Sequence, residues 1–243
     1  MIYAQISKNR EQGKKMLAVL VDPDKCNTRF LTDFTAWVRA SSPDFIFVGG
    51  SLVMESIDSV VHCLKTETDV PVVLFPGNAT QLSPDADALL FLSLISGRNP
   101  EYLIGQQVVA APQVRRSGIE VIPVGYMLIA GGTTTSVEYM SNTSPIPHGK
   151  NDIAVATAMA GEMLGLKMLY LEGGSGAAQP VSESMIAAVR QNISLPLIVG
   201  GGVRDAQAAR KIYGAGADLL VVGNVLEKDL SQMKAIASVR NEF

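Results

Sequence analysis

Three glycine-rich stretches follow one another towards the C-terminus: YLEGGSGA at 170–177, GGGVRD at 200–205 and VVGN at 221–224. Each ends an apolar run, where backbone amides can hold a phosphate without a bulky cationic side chain. Any one of them alone could be a tight turn, but the last two together favour phosphate, with Gly201, Gly202, Gly223 and Asn224 as the leading contacts. Ser175 can add a hydroxyl donor, while Gly173, Gly174 and Gly176 let the main chain wrap the same ligand.

A second group lies near the N-terminus. The stretch LVDPDK places Asp22 where an apolar run stops at Pro23. A carboxylate there can hold Mg2+ against a phosphorylated or diphosphorylated substrate whose own oxygens complete the coordination. A strand-end or helix-cap role is the structural alternative. Ser51, in FVGGS, can coordinate the same ion or bond a phosphate, or it can simply start a helix. A third candidate is Glu172. Period-two alternation in KMLYLE puts Met168, Tyr170 and Glu172 on one face and Leu169 and Leu171 on the other. If the leucines meet outer helices, Glu172 points into the catalytic mouth as a general base; otherwise it only shapes its loop through backbone hydrogen bonds.

Other chemistries lack their residues. Neither G-x-x-x-x-G-K-[ST] nor the dinucleotide pattern GxGxxG is present, which argues against ATPase and nicotinamide readings. His62 falls in a helical stretch and reads as structural, His148 falls in a loop as a flap or turn residue, and no His/Cys cluster marks a zinc site. A sugar-phosphate isomerase or aldolase, and a non-catalytic phosphate-binding scaffold, remain open on such a phosphate site.

Groups this far apart in sequence must be gathered at one rim, and the apolar runs supply the means. Eight strand candidates, at 16–22, 44–48, 71–75, 88–92, 120–125, 167–172, 196–200 and 218–222, are nearly all apolar, as parallel strands covered by helices should be. Phe30, Phe34, Trp37 and Val38 recur at helical spacing behind Thr28 as a cap, and Ile57, Val60, Val61 and Leu64 form a second stripe. Further helices are expected around 101–116, 151–164, 181–190, 205–213 and 225–240. The pattern predicts one (β/α)8 TIM barrel over 1–243, its functional loops at the C-terminal ends of the strands. Only FPGNATQLSPDAD separates the third strand from the fourth, so an extended segment should replace most of the third helix. The stretch at 125–150, GYMLIAGGTTTSVEYMSNTSPIPHGK, is too rich in glycine, proline and hydroxyls for a continuous helix and reads as an active-site flap or a subunit contact.

Composition narrows the setting. The chain is 47% hydrophobic and 18% charged with a net charge of -3, which suits a large core and offers nucleic acid no attraction. Cys26 and Cys63 form no CxxC pair, and no apolar run is long enough for a secretory signal or a bilayer span, so a reduced, cytoplasmic setting is expected. A lipid substrate could still bring the protein against a membrane surface without an anchor.

Taken in order, LVDPDK, FIFVGGS, YLEGGSGA, GGGVRD and VVGN span nearly the whole chain and resemble the geranylgeranylglyceryl phosphate synthase family; GGTTTSVEYMSNTSPIP is similar to its larger-form, group II-like members. The resemblance implies a modified barrel lacking its third helix and a prenyltransferase activity, EC 2.5.1.41. That activity would join the C3 hydroxyl of sn-glycerol 1-phosphate to an all-trans prenyl diphosphate, geranylgeranyl diphosphate foremost, and release diphosphate. On matching positions it implies glycerol phosphate binding by Tyr170, Leu171, Glu172, Gly173, Gly174, Ser175, Gly176, Gly201, Gly202, Gly223 and Asn224, Mg2+ binding by Asp22 and Ser51, and a dimer or hexamer. An apolar groove for the tail could then use Phe75, Leu92, Tyr126, Met127, Leu128, Tyr139 and Met140.

Overall fold

The computed structural model describes residues 1–243. Strands β1 (Met16–Val21), β2 (Phe45–Val48), β3 (Val72–Leu74), β4 (Ala88–Leu94), β5 (Glu120–Leu128), β6 (Met168–Glu172), β7 (Leu197–Gly200) and β8 (Leu219–Val222) pair in chain order, all parallel, and close into a barrel through β1 and β8. The helices are α1 (Ile2–Glu11), α2 (Thr28–Ser41), α3 (Ile57–Glu67), α4 (Gln106–Ser117), α5 (Ser136–Ser141), α6 (Asn151–Met163), α7 (Glu183–Asn192), α8 (Ala206–Gly214), α9 (Asn224–Lys228) and α10 (Gln232–Val239). No helix lies between β3 and β4, and none is long and apolar enough to cross a membrane.

Strand alternation divides the apolar side chains into two cores. Ala18, Phe47, Val73, Leu90, Val124, Met168, Tyr170 and Val221 fill the interior, while Val19, Ile46, Leu74, Leu169, Leu171, Val199 and Leu220 pack under the helices. Three aspartates brace the bottom of the barrel in the same way. Asp44, Asp87 and Asp218 each precede an even-numbered strand and accept the amide that opens or nearly opens the strand before it: Leu17 at 2.9 Å, Val72 at 2.8 Å and Leu197 at 2.8 Å. Helix α1, which the sequence reading did not assign, plugs this end with Ile2 and Ile6. The Glu120 carboxylate holds its start, accepting from Ile2 N at 2.5 Å and Tyr3 N at 3.0 Å, a favourable place for negative charge at a helix N-terminus.

Several boundaries differ from expectation for local reasons. Strands β4 and β5 run on to Leu94 and Leu128 because their ladder continues as far as Leu94 opposite Tyr126. The helix expected over 225–240 is two, α9 and α10, parted at Asp229, whose carboxylate takes the Ser231 amide at 3.0 Å and its hydroxyl at 2.6 Å. The stretch at 125–150 begins as strand, contains the short α5 and returns to the barrel where Ile146 bridges Ile129.

Thr28 does not cap α2. Asn27 does, its Oδ1 accepting from Phe30 N at 2.9 Å, and Thr28 is the first helical residue. Asn27→Ala is therefore expected to cost about 1 kcal/mol and Thr28→Ala only a few tenths. Denaturant titration of the two variants checks this; equal losses would contradict the assignment.

Candidate active site

A cavity of about 690 Å³ opens at the C-terminal ends of the strands, walled from Asp22 after β1 round to Gly223 and Asn224 after β8. Ser51, Tyr170, Glu172, Ser175, Gly176, Gly201 and Gly202 also reach it, so most of the residues singled out in the sequence meet in one space. Leu171, Gly173 and Gly174 do not. The Leu171 side chain packs under the outer helices, as the alternation requires. The two glycines are buried with their amides already used, Gly173 N on Gly200 O at 2.9 Å and Gly174 N on Glu172 Oε1 at 2.6 Å.

The free donors lie one layer further out. Gly176, Gly201, Gly202, Gly223 and Asn224 spend their amides on no acceptor within the chain. Ser175 Oγ donates to Asn224 Oδ1 at 2.9 Å, tying the loop after β6 to the start of α9. Together these loops form a concave set of unspent N–H groups at the end of three adjacent strands, suited to a phosphate dianion. Arg204 stands beside them, its Nη2 fixed by the carbonyls of Ala177 at 3.3 Å and Ala178 at 3.1 Å.

Glu172 sits below that set. Its side chain points inward as the KMLYLE pattern requires and is only 6% exposed. Burial pushes its carboxyl up from the ordinary range, opposed by the Gly174 amide and then by the Tyr170 hydroxyl. The loop-shaping hydrogen bond is thus present, but it uses only Oε1. Below, Tyr170 stacks on Phe75 with ring centres 5.4 Å apart and meets Tyr126 edge-on at 5.2 Å. The Tyr170 hydroxyl is buried beside the Glu172 carboxylate, and burial, with the Glu172 charge next, pushes both tyrosines well above their usual range.

Across the mouth, Asp22 combines two situations. It caps a single 3-10 turn, Pro23–Lys25, with Oδ1 accepting from Asp24 N at 3.2 Å, and it faces the cavity. Burial raises its pKa. Lys25 Nζ lies 3.6 Å from Asp22 Oδ2 and grips both Glu227 oxygens at 2.9 and 2.8 Å, bridging the turn after β1 and helix α9 after β8. Ser51 starts no helix; Ser56 is the cap of α3. A carboxylate and a hydroxyl, with no group of three acidic or His/Cys ligands anywhere in the chain, fit a hard cation that takes its remaining oxygens from a ligand and water.

The apolar part of the cavity leaves the barrel sideways. Where a third helix would cover the sheet, Leu89 and Phe91 on the outer face of β4 line the cavity with Leu82 of the extended segment. Helix α4 forms the far wall through Gln106, Ala110 and Val114, an i, i+4, i+8 row. Of the groove residues expected from sequence, Phe75, Leu92, Tyr126 and Met140 take part. Met127 faces the outer helices, Leu128 lies in the interior and Tyr139 is exposed. His62 is exposed on α3, and His148 meets Pro180 O at 3.3 Å, away from the cavity. Lys25, Gln81, Arg204 and Lys228 line the cavity without having been singled out, since no local pattern marks them.

The model of the PcrB family matches residues 7–240. A geranylgeranylglyceryl phosphate synthase from Chitinophaga pinensis is 54% identical over 237 residues, covering 97% of this chain and 94% of the relative. A protein of the same name from Thermococcus kodakarensis is 43% identical over 226 residues, with 92% and 89% covered. Among solved structures, (S)-3-O-geranylgeranylglyceryl phosphate synthase from Thermoplasma acidophilum, in complex with its substrate sn-glycerol-1-phosphate, superposes with a TM-score of 0.94 at 30% identity, over 100% of this chain and 99% of that one.

Proposed function

The chain belongs to the PcrB family, and from that membership we propose how its cup performs the activity of a geranylgeranylglyceryl phosphate synthase, a prenyltransferase that makes an ether-linked glycerophospholipid precursor. The acceptor is sn-glycerol 1-phosphate, the donor an all-trans prenyl diphosphate, with geranylgeranyl diphosphate first. One observation carries the reading: a buried carboxylate shares one cavity with a set of unspent amides and an apolar stretch lined by Leu82, Leu89 and Ala110.

In this reading the phosphate rests on the amides of Gly176, Gly201, Gly202, Gly223 and Asn224, with the Ser175 hydroxyl beside them. The glycerol then hangs inward over Glu172. Gly173, Gly174 and Leu171 support the loop and do not touch the ligand. Glu172 orients the hydroxyls and takes the C3 proton as that oxygen bonds to C1 of the prenyl chain and the bond from C1 to diphosphate breaks. Asp22 and Ser51 would hold Mg2+, which when bound supplies positive charge to the diphosphate oxygens. Phe75, Tyr126 and Tyr170 keep the reacting carbon in an apolar floor, and the tail runs out between Leu82, Leu89 and Ala110. Exposed Ile104, Val108 and Val109 supply apolar contact material for a homo-oligomer.

Mass spectrometry tests the whole. Purified protein with sn-glycerol 1-phosphate and prenyl diphosphates of several lengths is expected to yield the prenyl ether and diphosphate, and to stop when a chelator is added. Turnover undiminished by chelator would remove the Mg2+ assignment. No ether with any length would favour the sugar-phosphate enzyme, and glycerol phosphate binding without product a non-catalytic scaffold.

A further inference from the structure

The segment that replaces the third helix has no helical hydrogen-bond ladder with which to brace the rim. It is held on one side by α4, where Gln106 Oε1 accepts from Ala79 N at 2.9 Å. On the other side it spends one side chain. Gln81 is 4% exposed and lines the cavity. Its Oε1 accepts from Gly77 N at 3.1 Å and from Gly50 N at 3.3 Å, and its Nε2 donates to Gly50 O at 2.8 Å. Both polar groups of Gly50 are therefore held by one carboxamide, which alone among side chains of this length both accepts and donates.

Gly50 is confined on its other side too. A Cβ there would lie 3.3 Å from Asp22 Oδ1, and one at Gly77 would fall 2.9 Å from the Ser51 Cα. The peptide that carries Ser51 is thus wedged between the Asp22 carboxylate and the extended segment. We propose that Gln81 is a positioning residue that, by pinning Gly50, sets the Ser51 hydroxyl against the Asp22 carboxylate and so fixes the oxygen pair that meets the cation and the diphosphate. The proposal rests on the roles given above to Asp22 and Ser51.

Two full-length variants test it. Gln81→Glu keeps the length and the acceptor but sets an oxygen against the Gly50 carbonyl; Gln81→Met keeps the length and neither polar group. Mn2+ binding is followed by electron paramagnetic resonance with inorganic diphosphate present, together with steady-state kinetics and thermal melts. Both variants are expected to bind Mn2+ roughly tenfold more weakly, the worth of about one net hydrogen bond. Their kcat should fall while KM for sn-glycerol 1-phosphate stays within about twofold, because the amides proposed for that ligand lie on the opposite rim. Unchanged Mn2+ affinity in a folded variant overturns the proposal, and so does a loss shared equally by glycerol phosphate, which is what general loosening of the barrel would give. Should either variant not fold, the other decides, with the shorter Gln81→Asn in reserve. Asp22→Asn separates the two levels. If it leaves Mn2+ binding unchanged, the metal assignment itself fails; if it weakens binding while the Gln81 variants do not, only the positioning role fails.

Discussion

Glu172→Gln is expected to fold as the parent does, to bind sn-glycerol 1-phosphate only modestly more weakly, and to lose roughly 10²–10⁴-fold in the rate of the chemical step. The amide has the size of the carboxylate, and its oxygen can still accept from Gly174 N, so the loop keeps its shape. What disappears is basicity. Single-turnover formation of the ether, with both substrates saturating, is the measurement to make, because slow release of a long-chain product can mask chemistry in the steady state. A rate near the parental one would leave Glu172 with hydroxyl orientation or loop structure as its work.

The same substitution has a signature in pH. Burial raises the Glu172 carboxyl in the folded protein, so a base at this position is lost to protonation at a pH above the ordinary carboxylate range. The acid limb of kcat/KM in the parent should lie there, and Glu172→Gln should lack it. Stability runs the other way. A folded pKa above the unfolded one contributes stability that is complete below the unfolded value and lost as pH rises through the folded value. Above that folded value the parent therefore carries a buried charge that the variant does not. Glu172→Gln should melt no lower than the parent there, a trade of stability for activity common at sites.

The second large effect is expected at Gly201. Its φ is +82°, and a Cβ would lie 2.7 Å from the Gly173 nitrogen while pressing on Glu172 Oε1 and the Gly174 amide. Those neighbours are backbone or a fixed carboxylate and cannot swing away. Gly13 is a matched control, since it has a φ of +72° and nothing within 4 Å of where a Cβ would stand. Gly13→Ala should cost about 1 kcal/mol, the backbone preference alone. Gly201→Ala adds a clash inside the fold, for a total of about 2–4 kcal/mol, and should weaken glycerol phosphate binding by on the order of 10²-fold by displacing amides and carboxylate together. Denaturant titration and calorimetric titration with sn-glycerol 1-phosphate supply the two numbers. Equal stability costs at the two glycines, with parental binding, would show that close packing at Gly201 is not what the site depends on.

How far the sequence leads depends on the range of the interaction. Alternation within KMLYLE is local, and it placed Glu172 inward and Leu171 outward without reference to any other strand. The missing third helix was equally local, because thirteen residues with two prolines cannot make the crossover. Which glycine amides are free was not legible. Gly173 and Gly176 look alike in GGSG, but one faces a carbonyl of β7 and the other does not. Lys25 and Glu227 stand 202 positions apart, so nothing in either neighbourhood marks their bridge. Leu89 and Phe91 are ordinary apolar strand residues in the sequence, and only the cavity beside the helix-free segment makes them part of its wall. Gln81 sits in a stretch whose sequence shows turns and breaks; its role depends on Gly50 lying across the gap.

A regular (β/α)8 barrel has one opening, so everything about a ligand must be recognised at the same rim. On the outer face of β4, where no helix follows β3, the cavity of this one has a side extension, with its own walls in the 75–87 segment and α4. Selection can then act on the rim and on the side extension separately. Substitutions at Leu82 or Ala110 can redraw the apolar outline while the loops after β6, β7 and β8 stay as they are, and a change of loop need not alter the outline. If the tail follows the path proposed above, a lineage can drift from one tail to another through intermediates that keep their chemistry, so the absent helix acts as a source of evolvability: one cover is missing, and a trait that can vary freely takes its place.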